Sequence, residues 1–375
     1  APGLPWIPWR GGGWSTEPLV HVRFGCFMRP SKQTFLEQRK RRFGNANPER
    51  MRLEHWEWMV RDGCWASAGR QAYGVEHDYE ELEREGPDWC FERYGMSRTA
   101  MPDGRIICVA GEHEDGYDPD FCIYNDVVVL WPMPGESTVT HDGGEVEIYG
   151  YPQEVFPPTD FHSVTLVGSR IYIIGNLGYS EARRPGTTPI YALDTGTYAI
   201  EQLLATGTPP GWVYKHHAEF EPGSHSIVVR AGRIMRAIGQ DHELAHFGAF
   251  RLHLEDLRWE TVAQRERHRC ISLFATTPHR RGYWEPSDTC FHPRTVPHVI
   301  LPSDPVESDF ARLSVSGVCV WYEQFYDSFF MRVEGELPNE VVTVLLEETL
   351  DNLRAESGAE WTSEEKPPPA ERIRR

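Results

Sequence analysis

Two stretches of this chain gather side chains able to hold a metal or move a proton. The first, His242-Glu243-Leu244-Ala245-His246, sets two imidazoles four residues apart around a carboxylate. On a helix that spacing brings both rings to one face, where they bind zinc, and the glutamate serves as general base toward a zinc-bound water. The surroundings do not supply such a helix. Gly239 interrupts the preceding residues, Ala249 stands where the longer zinc-protease pattern carries glycine, and no third histidine follows at the usual place, which leaves Glu255 or Glu260 as a remaining ligand. The expectation is a loop entering a strand at 250–254, with no metal and no cofactor. The alternative is a zinc-dependent hydrolase with His242, His246 and Glu255 as ligands and Glu243 as base. The second stretch crowds Glu112, Glu114, Asp115, Asp118 and Asp120 onto one short loop. Clustered carboxylates suit a hard cation such as Ca²⁺, yet no register places a glutamate at the twelfth position that an EF-hand requires. These five residues are therefore expected to form a polar loop that binds a partner. Neither a glycine-rich phosphate loop nor a Gly-x-Ser-x-Gly nucleophile elbow is present.

The bulk composition narrows the partner. Lys and Arg total 38 against 56 Asp and Glu, a formal charge of −18, which argues against nucleic acid and acidic membranes, since a phosphate backbone is bound chiefly by cations. The one basic run, Arg39-Lys40-Arg41-Arg42, reads as a solvated face. Eight cysteines are scattered with no Cys-x-x-Cys pair, so no structural zinc site or redox motif is written here. Ala1 to Trp6 lack the basic and apolar regions of a secretory signal, and no stretch reaches the length of a membrane span. A soluble protein of the reducing cytoplasm is expected.

The elements that must position these residues repeat. Arg105-Ile-Ile-Cys-Val-Ala-Gly111, Arg170-Ile-Tyr-Ile-Ile-Gly175 and Ser226-Ile-Val-Val-Arg-Ala-Gly232 each follow a turn rich in Gly, Pro, Asp or Ser and each end on glycine. Reuse of such a unit in tandem marks repeat architecture. The middle copy is the clearest: His162-Ser163 opens a strand, the glycine-ended run follows, then Ile190 to Asp194, then Tyr198 to Leu203, four short β segments separated by turns. The third copy runs from His216-His217 through 226–232 and 250–254 to Trp259; the first has Arg98-Thr99-Ala100 at the His-Ser place.

This pattern resembles the kelch repeat over about 94–262. The resemblance implies an all-β fold, a kelch-like β-propeller or partial propeller, with the glycine-ended runs as buried innermost strands and Tyr198 and Trp259 at matching places between sheets. Kelch propellers also carry copper-radical oxidases, but nothing in the spacing of Tyr214, His216, His217 and Cys270 selects such a centre. Around the repeats, a strand is expected at 20–24 and a helix beginning at Asn47-Pro48 with Met51, Trp56, Met59 and Val60 on its apolar face. A strand pair at 313–333 offers a degenerate further blade. A capping helix starts at Pro338-Asn339 with Val341, Val342, Leu345, Leu346, Thr349, Leu350 and Leu353 as its apolar stripe. The layout is thus 1–90 irregular and helical, 91–336 β-repeat, 337–360 helix, and 361–375 a disordered tail. Its expected function is non-enzymatic: a scaffold whose loops bind another protein, one of basic charge.

Overall fold

A computed structural model describes residues 28–62, 65–75, 84–115, 118–133, 144–235, 243–245, 248–264, 269–278, 286–302, 311–325 and 328–366. Most of them lie in antiparallel sheets, and the helical part consists of α1 (Lys32–Gln38), α2 (Glu54–Asp62), α3 (Ala66–Tyr73) and α4 (Asn339–Ser357). The all-β class expected from the sequence describes the bulk of the chain.

Three four-stranded meanders occupy the middle. Unit 1 is Ser97–Ala100, Ile106–Val109, Val127–Leu130 and Val146–Gly150; unit 2 is Ser163–Val167, Arg170–Ile174, Ile190–Asp194 and Ile200–Gln202. Unit 3 is His217–Glu221, Ser226–Arg230, Gly248–His253 and Arg258–Gln264. First strands of successive units lie side by side. The glycine-ended runs are therefore the second strand of each unit and not the innermost. The physical reason is burial: a second strand is flanked on both edges by its own sheet and packs against at least one neighbouring unit, while the first strands carry Ser97, Thr99, Ser163, Thr165 and Glu219 along the stack.

Alternation along these second strands assigns each side chain to a neighbour. Ile106 and Cys108 face the N-terminal helices, whereas Ile107 and Val109 join Ile171 and Ile173 between units 1 and 2. Tyr172 and Ile174 then join Ile227 and Val229 between units 2 and 3. Trp259 is buried at that second interface and Tyr198 at the first. They are not equivalent, however. Trp259 pairs with Leu252 as Ile200 pairs with Leu193, so the match to Trp259 is Ile200, and Tyr198 matches Leu257, both with positive φ.

Hydrogen bonds repeat from unit to unit. His162 Nε2 meets Ser97 Oγ at 2.8 Å, and His216 Nε2 meets Ser163 Oγ at 2.8 Å. Each His of the His-Ser place thus bonds the Ser of the preceding unit. In unit 1 that place is Met96-Ser97, not Arg98-Thr99-Ala100, and in unit 3 it is His216-His217. The backbone follows suit, with Phe161 N–H donating to Gly95 O and Lys215 N–H to Phe161 O.

The N-terminal helices cover the outer face of unit 1. Trp56 of α2 stacks on Trp89 with ring centroids 4.6 Å apart, and Met59, Val60 and Ala66 pack beside Val128 and Ile148. The helix begins at Glu54, later than Asn47-Pro48 suggested, because Asn47 is occupied elsewhere: its side chain donates to Ile200 O and accepts from Ile200 N–H. The basic run is not a solvated face throughout. Arg39 and Lys40, together with Arg70, surround the buried Asp88, and Arg42 pairs with Glu49.

The C-terminal part builds its own core. A six-stranded antiparallel sheet runs in the order Val299–Leu301, Ala311–Val315, Val318–Phe325, Ser328–Glu334, Arg269–Ala275, Trp361–Lys366. The expected further blade at 313–333 belongs to this sheet. Helix α4 lays Val342, Leu345, Leu350 and Leu353 against Ile271, Leu313, Tyr322 and Met331, so it covers this sheet and not the repeats. Trp361 is buried and its strand pairs with Arg269–Ala275, which replaces the disordered tail expected to start at 361; 367–375 lie outside the described residues, as does the strand expected at 20–24.

Candidate interaction face

Each unit leaves its second strand through a doublet whose first residue has left-handed backbone: Ala110 (φ 53°), Gly175 (φ 76°) and Ala231 (φ 58°). Glycine tolerates that conformation without strain; alanine pays for it in the other two units. The residue after each doublet, Glu112, Leu177 or Arg233, then meets a residue just ahead of a first strand. Glu112 exchanges backbone hydrogen bonds with Tyr94, Leu177 N–H donates to Asp160 O, and Arg233 pairs with Tyr214. From this shared point every unit inserts extra chain before its third strand. Unit 1 inserts the hairpin Glu112–Asp115/Asp118–Ile123, and unit 2 the loop 176–189 with its short turn Ser180–Ala182. Unit 3 inserts Arg233–Met235 and Glu243–Ala245, which pair with Trp212–Tyr214 in a small sheet. Because all three insertions leave at equivalent positions, they crowd one end of the stack. Arg233 there also reaches Glu323 of the C-terminal sheet at 3.6 Å.

The base of the unit 1 hairpin is rigid. Arg93 is fully enclosed, forming a paired contact with Asp126, donating to Cys90 O at 2.9 Å, and lying 3.4 Å from the Tyr124 ring centroid. Trp89 Nε1 donates to the same Asp126 at 2.7 Å. Burial opposes the charge on Arg93, but Asp126 prevails and raises its pKa further. The Cys90 thiol beside it is pushed up to about 12 by burial, so it is protonated and unreactive in the fold.

Between the insertions of units 1 and 2 lie two carboxyl groups. Asp160 is fully buried; its Oδ1 accepts from Gly178 N–H at 2.6 Å and its own N–H donates to Asn176 Oδ1 at 2.9 Å. Glu112, the first residue of the hairpin, is also buried. Burial raises the Asp160 pKa, opposed by the Gly178 N–H, by Glu112 and by the Arg183 cation. Around the pair stand rings: Tyr94 is 48% exposed and Phe121 45%, Phe121 meets Tyr179 edge-on at 6.0 Å, and Trp65 lies 5.8 Å from Tyr94. Tyr179 OH accepts from Ile123 N–H at 2.9 Å, which fixes the hairpin to the loop of unit 2.

The acidic stretch expected as a loop is thus a hairpin. Glu112 turns inward and is not a solvent-facing ligand. The side chains of Glu114, Asp115, Asp118 and Asp120 lie outside the described residues, although their backbone forms the hairpin strands. The zinc alternative needs a helix through 242–246, and Glu243–Ala245 is instead a strand paired with Arg233–Met235. His242 and His246 lie outside the described residues. Glu255 sits exposed in the turn beyond Gly248–His253, and Glu260 bonds His253 at 2.7 Å on the far face of unit 3. Among the described residues no group of three or more His, Cys, Asp or Glu side chains is placed to hold a metal ion. Sequence reasoning missed Asp160, Tyr94, Phe121 and Tyr179. A signal for Asp160 existed: with the units aligned on their doublets, it occupies the place that Tyr94 and Tyr214 hold in the other two.

No described helix is long and apolar enough to cross a membrane. No protein-family model and no curated protein matches the chain. Among solved structures, the one entitled "Structure of YjhT" aligns over 68% of this chain and 69% of its own, with 11% identity and a TM-score of 0.29.

Proposed function

We propose that this protein is a non-enzymatic interaction scaffold, a kelch-like partial propeller of three units whose insertion end holds another protein. The observation that carries this reading is the convergence of three insertions at one end of the stack, with Tyr94 and Phe121 about half exposed among them. Repeat insertions that fall on one face commonly form its binding surface, and rigid sheets behind them keep such loops in place. The four-stranded meanders and the Ser–His bonds between units support the kelch-like part. The charged outer face of unit 3 supports an open stack over a closed ring. A basic partner suits the site because Tyr and Phe rings beside an acidic hairpin attract cationic side chains both by charge and through their π faces. Six described cysteines, all free thiols, support a reducing, cytoplasmic setting.

The test is affinity capture from the native cell extract with three proteins: wild type, Tyr94→Ser/Phe121→Ser, and Arg251→Ala on the far face of unit 3. The expected result is a protein retained by wild type and by Arg251→Ala but lost from the double variant. Equal capture by all three would place binding elsewhere and reject this reading.

A further inference from the structure

We propose that residues 286–296 form an acid-released strap, which carboxylates of α4 clip shut over the apolar seam between that helix and its sheet. The strap holds the short turn Asp288–Phe291 and leads into the edge strand Val299–Leu301. Its Phe291 is fully buried, 4.8 Å from the Tyr322 ring and 5.0 Å from the Phe329 ring, in the core that Leu345 and Leu353 of α4 share. Polar side chains at every fourth position of α4, Glu348, Asn352 and Glu356, make one row along the helix. Glu348 Oε2 accepts from Arg294 N–H at 2.6 Å and Thr295 N–H at 3.2 Å, and its Oε1 from the Thr295 hydroxyl at 2.7 Å. Asn352 donates to Cys290 O at 3.1 Å. Glu356 accepts from Ser287 N–H at 2.8 Å, from the Ser287 hydroxyl at 2.9 Å and from the Cys290 thiol. Among the described residues, the strap's own backbone bonds, Cys290 N–H to Ser287 O and His292 N–H to Thr289 O, stay within it.

An ionised carboxylate accepts several donors at once; a proton taken up removes one acceptor site and the charge that strengthens the other bonds. The groups facing the two clips favour the ionised form. The Thr295 hydroxyl, the N–H groups of Arg294 and Thr295 and the Arg294 charge hold Glu348 below the usual carboxylate range against its burial. Burial pushes Glu356 up, but the Cys290 thiol and Ser287 outweigh it and hold Glu356 low as well. Arg294 also faces Asp351 at 3.8 Å, and Arg354 faces Asp351 at 3.0 Å and Glu360 at 4.0 Å. The strap adds Asp288 and His292, the latter 6.1 Å from the His298 ring, and the sheet below adds Tyr322, kept neutral by burial. Both clips have folded pKa values below the unfolded ones. The closing force is therefore complete above the ordinary carboxylate range and is lost as pH falls through the depressed values. Glu348 is buried and Glu356 exposed, so Glu348 carries the larger share. The strap belongs to the C-terminal sheet, so this inference stands apart from the interaction face.

The experiment measures amide exchange, corrected for intrinsic rate, from about pH 7 down to about pH 3, across the ordinary carboxylate range. In wild type, protection at Ser287, Arg294 and Thr295 is expected to fall together below about pH 4.3, by up to about tenfold per pH unit for each carboxylate. Val320 and Tyr322, in a strand paired on both edges, should stay protected. In Glu348→Gln at about pH 7, exchange should rise about tenfold at Arg294 and Thr295 and also at Ser287, which the other carboxylate holds. Labelling of Cys290 by an aromatic disulfide, located by peptide mass, should rise by the same factor. Glu356→Gln reads the same coupling from the opposite end and serves if Glu348→Gln folds poorly. Wild-type protection that does not change with pH, loss confined to the amides bound by the substituted residue, or loss shared equally by Val320 and Tyr322 would overturn the strap.

Discussion

Unit 1 and unit 3 are the two ends of one stack, and their outer faces are finished by opposite means. In unit 1 the outward positions Ile106, Cys108, Val128 and Ile148 are apolar and lie under Trp56, Met59 and Trp89. In unit 3 the outward positions form rows across the strands: Glu219, Val228, Arg251 and Glu260 in one, Glu221, Ser226, His253 and Arg258 in the next. Arg251 reaches Glu221 at 2.9 Å and Glu260 at 3.8 Å. An end unit of a repeat array must either hide its outer face or make it polar, because an apolar face left open would recruit another sheet. This protein does both, one at each end. The hydrogen-bond chain agrees: Ser97 has a partner in the next unit but Met96 offers no imidazole backward, and His217 stands where unit 3 would need a serine for a following histidine.

The comparison breaks most visibly at the covered end. Trp56→Ala removes a fully buried ring stacked on Trp89, and a loss of about 3–5 kcal/mol is expected in urea denaturation. A loss below about 1 kcal/mol would mean that the helices do not hold unit 1. Asp126→Ala comes next, because it strands the enclosed Arg93 charge; about 3–5 kcal/mol should be lost. Arg93→Met/Asp126→Leu, which removes both charges, should recover most of that loss.

Acid sharpens the contrast between an interior held by neutral histidines and an end held by charge. Burial lowers His162 to about 3 and His55 to about 4. Each is neutral in the fold while the unfolded chain takes up a proton below about 6.5. Stability is therefore full above that value and falls as pH drops toward 4 and then 3, by at most about 1.4 kcal/mol per pH unit for each histidine. His162→Gln, able to keep the bond to Ser97, should flatten that slope when denaturation midpoints are measured from pH 7 down to about 4.5. An unchanged slope would remove His162 from the account. The smallest effect belongs to the open end: Arg251→Ala, on an exposed network, should leave the denaturation midpoint unmoved at ordinary salt. A large loss there would mean that the far face is a structural interface.

By itself the sequence determined the repeated strands and, in retrospect, the open end. Second strands 106–109 and 171–174 are apolar at every position because both of their faces are covered, whereas in the last copy the exposed Arg230 follows the buried Ile227 and Val229, which records a face less completely covered. Such patterns are local and survive in a string of residues. Tertiary structure alone decided the rest. That Glu112 and Asp160 are buried, that Asp88 absorbs the charge of Arg39, Lys40 and Arg70, and that α4 covers its own sheet all depend on which distant segments come to lie together. An acidic residue reads the same whether it faces solvent or the interior, and an amphipathic helix reads the same against any apolar face. The choice is made by packing, which fills each face with the neighbour that completes it and leaves no trace in the spacing of either partner.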